Sequence, residues 1–596
     1  MRKQTKFVAV ASAAAVLAIG ASMTSFAATG WVEEDGVWYY YDKDGNKVDD
    51  EWKKSGDSWY WLDSEEGGGM AVDKLIEDGD DTYYVDSNGQ MVRNTWVKVV
   101  NEDQDDDDDP AEYNYYYMQS NGKAYTAGDS SSTKFRTIDG KRYAFDDDGK
   151  MLYGWVDTDS SRLSGEDDWS AQEDMYYCGN WDDGAMKTGW QMIYVHDDVE
   201  DDDMEHWFNF KSNGKKRFST DGSTLEKTIN SKKYGFDDRG VMVYEWTVST
   251  GSNTASASSW KYFSSKEDGA RKTKGWFKVV APNDDNTFRH EEFQSTDTFA
   301  QSDADDEEER WYYADGDGEL YVGEIKKIKG KYYGFYPDDD SDDKLDGYGK
   351  GAAMISGLVF MSVDESGKIL RVYDDDIDSD DLDDIIDGEG DYGTDFDDPD
   401  VSLFYFGNNE DADGAMKTGT TTINLDGDSY SFLFSKSGGA EGKGRGRTGI
   451  DDDKYIYKYG KRMKADSDDK YIVVKATGDI ADDNAEVSEI KSKDLRSGNV
   501  SGLTADDIGK NKDSETVKGA FGFTSDMYLV NTSGSIIKNK TAAKDGDDWY
   551  FYVDKKNIKM YLNNKTLKVD SGKTALMFPD GTKKLEAWKD YPTPNA

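Results

Sequence analysis

One short grammar recurs along the chain: a tryptophan or other apolar residue, an aromatic run, a glycine-containing turn, then another apolar residue. Trp31 leads to Trp38-Tyr39-Tyr40-Tyr41 and Asp44-Gly45, and Trp52 leads to Trp59-Tyr60-Trp61 and Gly69-Met70. Ile76 leads to Tyr83-Tyr84, Asn88-Gly89 and Met91 before Trp96 starts again, in steps of 21, 24 and 20 residues. Each unit reads as a β-hairpin, in which a strand-forming aromatic run meets a turn such as Asp44-Gly45 or Asn88-Gly89 and a second short strand follows. A lone hairpin is marginal in water, so the units must bury their rings against one another. The expected fold class is therefore all-β, an elongated solenoid of tandem β-hairpin repeats with acidic loop insertions.

A longer period overlies the short one. Thr137 to Trp155 returns 91 residues later as Thr228 to Trp246, identical at eleven of nineteen positions, and a weaker copy starts near Ile328. Gly184-Ala185-Met186-Lys187-Thr188-Gly189-Trp190 recurs at Gly269 to Trp276 and at Gly414 to Gly419. Such self-similarity marks amplification of a unit of about three hairpins. Acidic runs interrupt the units at Asp105 to Asp109, Asp197 to Asp203, Asp303 to Glu309, Asp338 to Asp343 and Asp374 to Asp384. Their composition predicts solvated loops. From Lys464 to Gly546 the repeats fade, and Ile480 to Ser497 is a helix candidate ended by Gly498, Gly502 and Gly509.

The first residues set the expected compartment. Arg2, Lys3 and Lys6 precede the apolar stretch Phe7 to Gly20 and the small-x-small site Ser25-Phe26-Ala27, which reads as a secretory signal cut near Ala27 or Ala28. The end, Tyr591 to Ala596, has no apolar tail of the kind a wall-sorting signal needs. The organisation expected is a signal peptide at 1–27, N-terminal hairpins at 28–100 and super-repeats with acidic insertions at 101–463. A repeat-poor region at 464–546 and a C-terminal hairpin and tail at 547–596 complete it.

Charge excludes several functions. The formal charge is −51, a field that repels nucleic acid and anionic lipid and favours cations. Charged residues make up 33% of the chain, yet 13% is aromatic. Disordered chains are poor in aromatics, so these rings are packed or used. Cys178 is the single cysteine, which rules out an intramolecular disulfide and reads as a buried, inert thiol. His196, His206 and His290 are the only histidines, and no His-Glu-x-x-His spacing occurs. No nucleophile or metal constellation is visible, so no catalysis and no cofactor are expected. Asp42 to Asn46 and Asp315 to Glu319 resemble fragments of calcium loops. The sixth positions are Lys47 and Leu320 where an EF-hand needs glycine, and Asp-Gly at a turn explains both. Weak calcium association with the acidic runs stays open.

Gly30-Trp31 with Trp38-Tyr39-Tyr40, Gly154-Trp155 with Met175-Tyr176-Tyr177, Gly189-Trp190 with Met186, and Gly275-Trp276 with Trp311-Tyr312-Tyr313 carry a resemblance. The pattern resembles the cell-wall-binding (choline-binding) repeat of Gram-positive surface proteins, to which glucan-binding repeats are related. It covers the chain intermittently from Gly30 to about Leu433. The resemblance implies a hairpin solenoid, exported to the cell surface, whose aromatics form cages for the choline of teichoic acid. Physically, a quaternary ammonium donates no hydrogen bond, so ring faces are its best partners. Several weak cages on one rigid scaffold would bind a repetitive polymer by avidity.

The chain departs from the pattern at Ile76, Ile138 and Ile229, which stand where tryptophan is expected. Trp311 is followed by no tryptophan until Trp549. The cage residues expected are Trp31, Trp38, Tyr40, Trp52, Trp59, Tyr84, Trp96, Trp155, Tyr176, Met186, Trp190, Trp207, Trp246, Trp260 and Trp276. Wall glycan, or a foreign or host glycan bound by an adhesin, is the alternative ligand, because rings stack on sugars as readily as they surround cations.

Overall fold

The computed structural model describes residues 29–563 apart from 105–109, 129–130, 198–200, 249–255, 284–286, 289–308, 339–349, 390–399, 408–412, 438–441, 483, 498–518 and 522, together with the backbone of 576–577 and 583–584. The signal-peptide reading, the 105–109 run, most of 303–309 and 338–343, His290 and the C-terminal end lie outside the described residues. The chain divides into two compact units, one up to Val243 and one from Tyr244.

Short antiparallel hairpins dominate both units. In the first, Gly30–Glu34 pairs with Val37–Tyr41, Glu51–Ser55 with Ser58–Asp63, Lys74–Asp78 with Asp81–Val85, and Thr95–Val100 with Tyr113–Met118. Arg136–Ile138 with Lys141–Tyr143, Trp155–Asp157 with Met175–Tyr177, Gly189–Asp197 with Asp202–Phe210, and Leu225–Ile229 with Lys232–Phe236 follow. The second unit continues with Glu245–Val248 and Trp260–Phe263, Gly275–Val280 and Glu309–Ala314, then Glu324–Ile328 and Lys331–Phe335.

In the hairpins whose strands are joined by two residues, the tight turn sits one step earlier than the sequence reading placed it. It is Asp35-Gly36, with φ of 51° and 84°, that reverses the chain between Trp31 and the aromatic run; Asp139-Gly140 does the same at 49° and 82°. Two consecutive left-handed residues give the primed turn whose twist matches paired strands. Asp44-Gly45 instead belongs to the loop that closes the unit. There Asp42 Oδ1 accepts the N–H groups of Asp44 and Asn46 at 2.9 and 2.8 Å. Asp315 treats Asp317 and Glu319 the same way, at 2.8 and 3.0 Å. The calcium-like spacing in both places is thus used to cap backbone.

In several repeats an apolar residue after the closing loop ties consecutive hairpins together. It bridges back to its own strand, as Phe145 to Met151 and Phe236 to Met242. Its N–H also donates to the preceding hairpin: Met91 to Trp59 O (2.8 Å), Met151 to Tyr115 O (2.7 Å) and Met242 to Trp207 O (2.8 Å). Met354 and Met416 repeat this in the second unit, to Trp311 O (2.7 Å) and Tyr332 O (2.8 Å). The methionine side chain then lies on the closing-loop glycine of the next hairpin, Met151 on Gly184 and Met186 on Gly214. A single residue therefore supplies an intra-hairpin bridge, an inter-hairpin hydrogen bond and an apolar contact.

Two acidic runs are structured where loops were expected. Asp374 to Asp384 enters a helix, Ser379–Asp387, in which Asp378 accepts the N–H groups of Asp380 and Asp381 and Leu382, Ile385 and Ile386 are buried. Acidic residues suit a helix N-terminus, and the apolar spacing gives the helix one buried face. Asp197 ends a nine-residue strand and is fully buried. His206 Nε2 lies 2.5 Å from its Oδ2, and the Arg239 guanidinium pairs with its Oδ1.

The region from Lys464 to Gly546 is mostly strand in its described part, with strands in two sheets. Tyr471–Ala476 pairs with Val487–Ile490 on one side and Met527–Asn531 on the other. The helix expected over Ile480 to Ser497 is reduced to Ser492–Ser497, because Val487 to Ile490 pairs into that sheet. Among the described residues, no helix is long and apolar enough to cross a membrane.

Candidate functional site

Strand alternation decides which rings can face outward. In the Gly189–Phe210 hairpin, Trp190 pairs with Asn209, Met192 with Trp207 and Tyr194 with Glu205, so these six share one face. The opposite face carries Ile193, Val195, His206 and Phe208, all buried. In the Gly275–Ala314 hairpin, Trp276 opposite Tyr313 and Lys278 opposite Trp311 form one face. Phe277 and Tyr312 are buried on the other.

Each of these tryptophans meets its own hairpin and the next one. Trp190 has Trp207 at 6.3 Å and 87°, Tyr234 at 4.7 Å and 65°, and Phe236 at 5.6 Å and 31°. Trp276 has Trp311 at 6.4 Å and 85°, Tyr333 at 4.8 Å and 65°, and Phe335 at 5.7 Å and 23°. The two junctions match ring for ring. In both, the two tryptophans and the tyrosine are partly exposed while the phenylalanine is buried. The steep pairs are edge-to-face packing, which leaves part of each of these rings at the surface.

Other expected residues form related junctions. Trp96 meets Tyr117 of its own hairpin at 5.3 Å and Tyr143 and Phe145 of the next at 4.8 and 5.9 Å. Trp52 meets Trp61 at 5.3 Å and Tyr83 at 5.1 Å, and Trp31 meets Tyr40 at 5.5 Å and Tyr60 at 5.4 Å. In these three the tyrosine from the next hairpin is buried. Trp38 and Trp59 are partly exposed on their second strands, with the Lys54 amine 6.0 Å from the Trp59 ring.

Trp155 differs. It touches Tyr177, Phe208 and Phe210 at 5.1, 5.2 and 5.9 Å and is only 9% exposed. Lys216 occupies the bridging position that methionine fills elsewhere, pairing with Phe210. Its Nζ donates to Trp169 O at 2.6 Å and Ala171 O at 3.0 Å and lies 5.7 Å from the Trp155 ring. Burial pushes this amine down to about 7.

Of the remaining expected residues Trp246, Trp260, Tyr176 and Met186 are core, and Tyr84 is half-buried. Trp246 and Trp260 are fully buried, and Trp246 Nε1 donates to Val280 O at 2.8 Å. Burial removes both from any accessible ring surface. Tyr176 packs on Phe135 at 4.8 Å in a core with Val156, Cys178 and Met186. Tyr84 packs with Leu75 and Val97 and donates its hydroxyl to Asp73. Burial of Cys178 raises its thiol to about 12, which makes it a poor nucleophile.

Sequence reasoning missed the tyrosines that complete the junctions. Tyr143, Tyr234 and Tyr333 each stand in a Tyr-small-Phe triplet: Tyr143-Ala144-Phe145, Tyr234-Gly235-Phe236 and Tyr333-Gly334-Phe335. That recurring triplet was the available signal.

This fold and these junctions define a hairpin-repeat protein with aromatic rings shared between consecutive hairpins. Solved structures to which it is similar include choline-binding proteins and a modular autolysin. The modular autolysin LytC from Streptococcus pneumoniae, in complex with a synthetic peptidoglycan ligand, is 19% identical with a TM-score of 0.27, covering 52% of this chain and 51% of that one. The match thus spans about half the length of the autolysin. Choline binding protein F from the same organism is 16% identical with a TM-score of 0.25, covering 73% of this chain and 99% of that one. The choline-binding domain of CbpL, also from Streptococcus pneumoniae, is 20% identical with a TM-score of 0.21, covering 51% and 99%. No family model matches the chain. No curated protein matches it either.

Proposed function

We propose that the chain is a secreted, non-catalytic surface protein that holds non-covalently to a Gram-positive cell wall through aromatic cages between its hairpins, stacked as a solenoid. The observation that carries this reading is the matched pair of junctions, Trp190-Trp207-Tyr234 and Trp276-Trp311-Tyr333. Each offers three partly exposed ring faces to a quaternary ammonium such as the choline of teichoic acid. One ring contact is worth about 1 to 2 kcal/mol when desolvated, so a single cage is weak and attachment depends on several acting together. The net charge of −51 adds long-range attraction for a cation.

A second reading, adhesion to a glycan, is favoured by one observation. Met192 and Tyr194 are 51% and 65% exposed on the same face as Trp190 and Trp207, with Glu205 opposite Tyr194. An apolar strip beside a carboxylate suits the faces and hydroxyls of a sugar. The test is a pull-down of the mature protein on purified walls, eluted first with free choline and then with a calcium chelator. Release by choline is the expected result. Folded protein that is not retained on walls at all contradicts the wall reading and favours a foreign glycan.

A further inference from the structure

In a chain this acidic, a pocket lined by ammonium groups stands out. At the start of the strand Lys331–Phe335 lies a pocket of about 250 Å³, lined by both Lys331 and Tyr332. Its wall includes Lys331, Lys417 and Lys443, and its floor is formed by Tyr332, Ala415 and Met416. Among the described lining residues Asp413 is the one carboxylate. It is already engaged: Lys417 Nζ pairs with it, the Ala415 N–H donates to it at 3.2 Å, and Lys331 Nζ stands 3.9 Å away. The Lys417 ammonium holds the Asp413 carboxyl below its ordinary range, so it is an anion at neutral pH. Lys443 Nζ lies 5.2 Å from the Tyr332 ring, and among the described residues no carboxylate pairs with it. Among the described lining residues, three cations face one anion.

We propose that this pocket binds a phosphate group carried on a sugar- or polyol-sized body. Three ammonium groups on a pocket wall supply point charges for a compact dianion or phosphodiester. The Tyr332 ring and Met416 supply an apolar floor for the attached carbon skeleton. The surrounding acidic field is screened over about 8 Å at physiological salt, so the local lysines set the affinity. The pocket borders the Trp276 junction, since the charges of Asp413 and Lys417 act on Tyr333, but the phosphate reading does not depend on choline being the ligand there.

The experiment is equilibrium dialysis of the full mature chain with glycerol 3-phosphate at fixed ionic strength, with acetate and free glycerol as parallel arms. Binding of glycerol 3-phosphate and not of acetate or glycerol is expected, falling as sodium chloride rises. Lys331→Met with Lys443→Met should weaken it tenfold or more, and Lys443→Met alone by a smaller factor. Lys227→Met, an exposed lysine elsewhere, should leave it unchanged. A poly(glycerol phosphate) arm distinguishes the source: tighter binding of the polymer points to a wall phosphodiester, equal binding per phosphate to a free sugar phosphate. Absence of glycerol 3-phosphate binding, acetate binding of equal strength, or unchanged binding in both lysine variants would each overturn the proposal.

Discussion

Trp190 stands edge-on to Tyr234 of the next hairpin, ring centroids 4.7 Å apart at 65°, and Trp276 stands to Tyr333 at 4.8 Å and 65°. The relation links two residues that share no strand. It is fixed by the backbone bonds from Met242 to Trp207 and from Met354 to Trp311, which set each hairpin against its predecessor. The rings are thereby placed by the stack and do not depend on a ligand to assemble, which lowers the ordering cost of binding.

The closing-loop glycines test how tightly that stack is packed. A Cβ at Gly184, where φ is +58°, would overlap the Met151 side chain; at Gly140, where φ is +82°, it would meet nothing within 4 Å. Both substitutions carry the left-handed penalty of about 1 to 2 kcal/mol. Gly184→Ala adds overpacking of about 1 to 3 kcal/mol. Urea unfolding should therefore show Gly184→Ala clearly less stable than Gly140→Ala. Equal losses would mean that the methionine seam is loose.

Lys216 should make stability depend on pH in a recognisable way. Its folded amine is pushed down to about 7 from a usual 10.5, so between those values the unfolded chain binds the extra proton. Stability therefore rises as pH climbs from about 7 to about 10.5, and the cost of burying the charge is fully present below about 7. Lys216→Met, the residue found at this position in neighbouring repeats, should flatten that rise. Denaturant midpoints of both proteins at pH 7 and pH 10 check it. An unchanged slope in the variant would assign the effect to another group.

Tyr312 offers a gain in stability. It is fully buried between Trp246 and Phe277, and its hydroxyl finds no hydrogen-bond partner among the described residues. Tyr312→Phe removes the unsatisfied group and keeps the ring, which should stabilise the fold by about 1 kcal/mol. Thermal unfolding is the measurement, and a lower midpoint would show that the hydroxyl has a partner in solution.

The sequence made the hairpins and their tryptophans legible because both follow a short period. It did not say which Asp-Gly makes the tight turn. Asp35-Gly36 and Asp44-Gly45 are chemically alike, and only pairing of Trp31 with Tyr40 separates them. Nor could it distinguish Trp190 from Trp260, since burial depends on which face of a hairpin meets the rest of the unit. Tyr234 and Tyr333 escaped because insertions of unequal length separate them from their tryptophans. The helix at Ser379–Asp387 was hidden by its own acidity, which outweighed the spacing of Leu382, Ile385 and Ile386 in the reading.

The central claim is that the Trp190 and Trp276 junctions are independent ligand sites. Its most direct measurement is calorimetric titration of choline into the protein and into Trp190→Ala, Trp276→Ala and the double variant, each verified as folded by circular dichroism. The account predicts that each single variant loses one site's worth of binding and the double variant loses both. Undiminished stoichiometry in the folded double variant would contradict it.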